Sequence, residues 1–277
     1  MTLLVTGKGS GGSWKIRGEQ LGAALGAKVV PAPSQAEVEA GDPILVVKRP
    51  TDAILNRKTT APLVWDIVDA WPQPEGNEWK KDKLVAHVMQ TAGRIRPDFM
   101  IAATRRMAED LGPDVFALRH HGRVYEKQNC IKEKVGVVAY EGSARYLGRW
   151  VEKVTAECVR RGWLFVINPK CLTEVDIVLA LRDYPHKGYG TDHWKSNVKL
   201  QNAQNSGTPI ICGRESGYQE TASGGEEWAD TPEELLRAFD KLSGQAERLV
   251  AASLLRKQTY TAADAARDFT KWRAGKF

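Results

Sequence analysis

Residues 195–220, KSNVKLQNAQNSGTPIICGRESGYQE, carry a polar, asparagine-rich helix, a tight Gly-Thr-Pro turn, an apolar strand over 208–212 and a second glycine turn with Glu215 and Glu220. Helix, turn and buried strand form half of a β-α-β unit, and the unit recurs along the chain. Apolar runs at 2–6, 44–49, 62–69, 98–104 and 114–120 read as strands with helix candidates between them. After the polar, aperiodic segment 121–134 a second series begins, with strands over 134–140, 163–168 and 175–182 and a helix over 145–162. This alternation predicts an α/β protein of two Rossmann-like, doubly wound domains facing across a cleft, each a parallel sheet with helices on both faces. The expected divisions are a first domain over 1–130, a second over 131–260 and a closing helix over 261–277 that packs back on the first domain. Thr231 and Pro232 mark a helix start, as N-cap and first helical residue.

Composition narrows the class. With 277 residues, 42% hydrophobic and 27% charged, the chain has the apolar content of a globular protein and the length of two cores. No run reaches the ~18 apolar residues of a bilayer span. The amino terminus lacks the basic flank and apolar core of a signal peptide, so a cytoplasmic protein without membrane insertion is expected. Cys130, Cys158, Cys171 and Cys212 show neither paired spacing nor adjacent histidines and read as free thiols. A net charge of +6, with local clusters at 105–107, 119–123 and 132–134, fits an anionic partner or a solvated surface.

In open parallel sheets ligands bind beyond the carboxyl ends of strands, which singles out three loops. The first, residues 7–13, places Gly11 and Gly12 where backbone can approach a ligand. No acidic residue follows the second strand, which argues against a nicotinamide site. The second loop carries Asp66 and Asp69. Their odd spacing sends them to opposite faces of an extended segment, and Asp69, nearer the strand end, is the candidate base for an acceptor hydroxyl. The third runs from Lys187 and Gly188 into the stretch at 195–220. There Lys195, Ser196, Asn197 and Lys199 stand about a helix start, a place suited to a diphosphate, and Glu215 and Glu220 offer acceptors for sugar hydroxyls. Trp14, Trp71 and Trp194 flank the loops, and His120 or His121 is expected to reach the cleft.

The stretch at 195–220 resembles the donor-binding segment of two-domain GT-B glycosyltransferases. In that family a Lys or Ser precedes an N-x-K-L-x-x-A helix, a G-x-P-x-I turn and strand, and a glycine turn with glutamate. The segment ADTPEELLRAF that follows is similar to their next helix. The resemblance implies transfer from a nucleotide-diphosphate sugar, UDP-linked by expectation, without an essential bound metal or other cofactor. The acceptor would enter from the domain over 1–130 and the donor be held by that over 131–260. Lys195, Ser196 and Lys199 would neutralise the diphosphate, Glu215 and Gly217 would contact the sugar and Glu220 the ribose or sugar hydroxyls, with Asn197 and Tyr218 also in the donor-binding set, and Gly11 and Gly12 would approach the leaving group. The sequence departs from the retaining subgroup with two glutamates eight residues apart, since Trp194 and Asn202 occupy those places. The basic balance favours hydroxymethylated pyrimidine in double-stranded DNA as acceptor. A surface glycan, a small aglycone, or a nucleotide-sugar epimerase reaction stand as alternatives.

Overall fold

The computed structural model describes residues 2–69, 80–183 and 188–276. Trp71 and Lys187 lie outside the described residues. Two all-parallel sheets organise the chain. The first contains β1 (Leu4–Gly7), β2 (Lys28–Pro31), β3 (Ile44–Val47), β4 (Leu63–Asp66), β5 (Phe99–Ala102) and β6 (Val115–Ala117), in the order β2-β1-β3-β4-β5-β6. The second contains β7 (Val137–Tyr140), β8 (Leu164–Ile167), β9 (Ile177–Ala180), β10 (Ile210–Cys212) and β11 (Glu227–Trp228), in the order β11-β10-β9-β7-β8. The central strands β1, β3, β4 and β9 are buried at every position because helices cover both faces, which is why they read as unbroken apolar runs.

Strand order locates the crevices. In the first sheet the chain turns outward from β1 to β2 and then crosses to β3, while in the second it turns from β7 to β8 and crosses to β9. Each reversal leaves a gap between two strand ends into which no connection folds, and ligands enter sheets of this kind there. The glycine loop and Lys48 stand at one gap, Glu141 to Gly142 and Arg182 at the other.

Three local features differ from the sequence expectation. The helix expected over 145–162 is broken into Ala144–Leu147 and Trp150–Arg161. Gly148 sits between them at φ +54°, where a side chain would collide with Asp183, and Asp183 accepts from the Arg149 amide at 2.8 Å. The expected loop after 188 contains a helical turn, Tyr189–His193, held against the first lobe by Tyr189. Third, the helix that begins at Gly11 passes through a π-helical stretch, Trp14–Gln20. The widened turn brings Arg17 wholly inside, 2.9 Å from Asp66 and bonded to the carbonyls of Leu118 and Arg119.

The helix Ala262–Arg273 packs on the first sheet, where Ala265, Ala266 and Phe269 join the core with Val5, Leu45 and Ile101. Thr231 caps the helix Pro232–Ser243 with Glu234 closing the reciprocal bond. All four cysteines are free.

Candidate functional site

Asp69 follows β4, and its carboxylate bridges two lysines from different sheets. Lys48, just beyond β3, lies 2.5 Å away, and Lys195, from the second lobe, 3.0 Å. Burial alone would raise the Asp69 pKa, but the ammonium groups of Lys195 and Lys48 hold it well below the usual carboxylate range. A carboxylate so stabilised has little affinity for a proton. In this arrangement Asp69, the expected base, holds two cations in place. Asp66, the alternative base, is sealed in the core with Arg17.

Across the gap between β7 and β9 a second cluster forms. Arg182, after β9, donates to Glu215 Oε1 at 2.7 Å, with Glu215 buried and the Arg182 side chain only 10% exposed. Among the described residues Glu215 Oε2 has no hydrogen-bond partner although it is buried. Lys199 Nζ donates to the Tyr140 hydroxyl at 2.8 Å and sits 4.0 Å over the Tyr140 ring. Burial, with Arg182 and Lys195 nearby, pulls the Lys199 ammonium down to about 7 against the opposing pull of Glu215 and Glu141. Lys195 is lowered by burial, with Asp69 working against it. Four cations, Lys48, Arg182, Lys195 and Lys199, thus surround two carboxylates, Glu215 and Asp69. Such an excess, desolvated, suits a polyanion. Two hollows adjoin this cluster, one of about 290 Å³ bounded by Lys8, Gly11, Gly12 and Lys48, the other of about 320 Å³ bounded by Arg149, Arg182, Asp183 and Asp230.

The remaining expected residues divide. Gly11 and Gly12 line the first hollow with open space where side chains would stand, and Gly11 has φ +84°. Asn197 flanks the helix Val198–Ser206, with Nδ2 on Gln201 at 3.3 Å and a buried Oδ1 that has no partner among the described residues. Ser196 is half-buried next to them. Tyr218 packs in the second core with Leu200 and Cys212. Gly217 is required by packing, because a side chain there would meet the Lys195 carbonyl oxygen at 2.3 Å. Glu220 is turned to the other lobe. Its two oxygens accept from the Arg105 and Arg106 amides at 2.7 and 2.9 Å, so this expected donor-binding residue caps the helix Arg105–Leu111. His120 and His121 are both buried; burial and the Arg17 charge pull the His121 ring down to about 3, so it is neutral. Trp194 is fully buried in the first core.

Similarity in three dimensions extends along the chain. Anabaena HepE, crystallised with UDP and glucose, superposes with a TM-score of 0.65 at 10% identity, covering 99% of this chain and 100% of HepE. The fold is GT-B. WaaG, a glycosyltransferase involved in lipopolysaccharide biosynthesis, superposes at 0.63 with 12% identity over 99% of this chain and 100% of its own. Sucrose-phosphate synthase from Thermosynechococcus elongatus gives 0.62 at 10% identity over 99% of both chains. No family model matches the chain, and no curated protein matches it in sequence.

Within this GT-B frame, sequence reading missed Arg182, Tyr140 and Lys48. Arg182 had a signal, a lone cation ending an apolar strand. Tyr140 had none, since a tyrosine closing a strand reads as core. Lys48 is marked by backbone geometry, φ +59°, which the sequence does not display. Among the described residues no group of three or more His, Cys, Asp or Glu side chains is placed to hold a metal ion, and no helix is long and apolar enough to cross a membrane.

Proposed function

We propose that this chain is a glycosyltransferase that moves a sugar from a nucleotide-diphosphate donor, a UDP-sugar, to a hydroxyl acceptor. The observation that carries the reading is Glu215, a buried carboxylate with one oxygen spent on Arg182 and the other unpaired among the described residues, set beside Lys195 and Lys199 at a topological switch point. An unpaired carboxylate oxygen in a desolvated place costs on the order of 1–3 kcal/mol until a donor arrives, and ribose or sugar hydroxyls are donors of the right kind. Arg182, Lys195 and Lys199 would neutralise the diphosphate and stabilise the charge it gains on leaving. HepE binds UDP and UDP-glucose on the same fold, which supports that donor class.

For the acceptor we favour a saccharide or small-molecule hydroxyl over hydroxymethylated DNA. The basic clusters that suggested DNA are partly engaged internally: Arg106 with Tyr189 and Asp110, Arg123 with Glu141 and Lys132 with Asp176. Cations so occupied leave fewer free for phosphate contacts. WaaG and AviGT4, involved in lipopolysaccharide and avilamycin A biosynthesis, lend this acceptor class support by fold analogy.

Calorimetric titration with UDP and UDP-glucose tests the donor half. Lys195→Ala and Glu215→Gln are each expected to weaken binding at least about tenfold, the scale of one lost charge-assisted bond. Unchanged affinity in both folded variants would refute the donor assignment. UDP release that depends on added saccharides, compared with hydroxymethylated duplex DNA and with no acceptor, separates the transfer readings; sugar interconversion without acceptor would indicate epimerisation.

A further inference from the structure

A cavity of about 750 Å³, lined by neither Asp69 nor Lys195, lies where β6, the turn after Glu220 and the closing helix Ala262–Arg273 meet. One wall is aromatic: Trp272 stacks on Phe116 with rings 4.9 Å apart and 6° from parallel. The rim is cationic. Arg119 is held against the Tyr260 ring, 5.0 Å from its centroid, and donates through Nη2 to Gln204 and to the Gln258 carbonyl. Its Nη1 makes no hydrogen bond among the described residues. The exposed side chains of Arg105 and Lys271 have no ion pair there either, while both bordering carboxylates are engaged, Glu220 by two backbone amides and Asp268 by the Tyr260 hydroxyl at 2.7 Å.

Three available cations, an aromatic wall and the polar Thr221 and Gln258 make a mixed surface. A bare phosphate would leave the aromatic wall and most of the volume unused, and a lipid tail would bury the cations unpaired. We infer that this cavity binds an anionic saccharide, a sugar phosphate or a uronate, with its ring against Trp272 and its acidic group at Arg105, Arg119 and Lys271. Since the lining comes from both lobes and the closing helix, occupancy holds these three parts together. The site is separate from the donor cluster, so a ligand here does not compete with UDP.

Thermal unfolding of the full chain with glucose 6-phosphate, glucuronate, neutral glucose or inorganic phosphate tests this. One or both anionic sugars are expected to raise Tm by about 2–4 °C near saturation, the scale of a ligand at roughly tenfold its Kd, and the effective one names the acidic group. Arg105→Glu and Lys271→Glu, at exposed positions, should abolish the rise and keep the UDP affinity of the parent. No shift with either anionic sugar, an equal shift with glucose or phosphate alone, a shift that survives both variants, or displacement of the sugar by UDP would each overturn the assignment. UDP affinity read in the same samples reports on the donor site separately.

Discussion

Lys199 shows how one half-buried residue sets a pH dependence. Its ammonium titrates near 7 in the folded chain, lowered first by burial and then by Arg182 and Lys195. An unfolded lysine keeps its proton to about 10.4. Between about 7 and 10 the unfolded chain therefore binds more protons, and this group's contribution to stability rises with pH. Diphosphate binding has the opposite sign, because the anion needs the protonated form. UDP affinity is expected to fall as pH rises from 7 to 9, by up to about tenfold per unit if Lys199 dominates, and binding near neutrality should take up a proton. Titration in buffers of different ionisation enthalpy measures that uptake, and Lys199→Arg, permanently charged, should flatten the profile. Asp69 contributes at the other end of the scale. Its folded pKa is depressed, so its stabilisation is complete above the unfolded value of about 3.9 and is lost as pH falls through the folded value. Asp69→Asn should therefore weaken the acid sensitivity of unfolding, measured by chemical denaturation at pH 3 and pH 6.

At the scale of elements, the helix Val198–Ser206 explains most of the polar crowding that the sequence presents. Gln201, Asn202, Gln204 and Asn205 are all buried, and most of their bonds reach chain segments crossing between the lobes rather than open space. Asn205 donates to the carbonyls of Arg123 and Tyr260 and accepts from the Tyr260 amide and from Gln201. Asn202 accepts from the Arg123 amide and donates to Glu141, and Gln201 reaches the Gln258 carbonyl. Irregular segments forced inside must have their backbone groups satisfied, and this helix supplies the partners. Asn205→Ala strands several of them at once and is expected to cost about 2–4 kcal/mol in urea unfolding while sparing UDP affinity, since the side chain does not face the cation cluster. Asparagine and glutamine look the same in sequence whether they bind a sugar or a linker. The alternating strands were legible because burial on both faces writes itself as apolar runs, and Lys195 and Lys199 were legible as cations at a helix start. The cap that Glu220 forms was not legible, because its partners, the amides of Arg105 and Arg106, lie 115 and 114 residues away in sequence.

For the molecule as a whole, the question is how firmly the two lobes are joined. Trp194 belongs by sequence to the second lobe, yet it is fully buried among Trp65, Met107 and Leu111 of the first core, with its indole N–H on Asp110 at 2.8 Å. Tyr189 donates to the same carboxylate at 2.7 Å, Thr104 donates to the His193 carbonyl, and Glu220 caps a first-lobe helix. The Asp69–Lys195 pair adds a charged contact over the same seam. A large aromatic side chain buried in the opposite core couples the lobes more strongly than surface ion pairs do. Position 194, where the retaining subgroup carries a glutamate, here serves as a structural plug. The parent chain is therefore expected to unfold in one calorimetric transition. Trp194→Ala removes the plug and leaves Asp110 short of a donor, at a cost of about 3–5 kcal/mol. It should split the transition in two and speed hydrogen exchange in Arg105–Leu111 and Tyr189–His193 ahead of the two sheets. A single transition with parent-like exchange in those helices would mean that the lobes are joined by the crossing chain segments and not by this side chain.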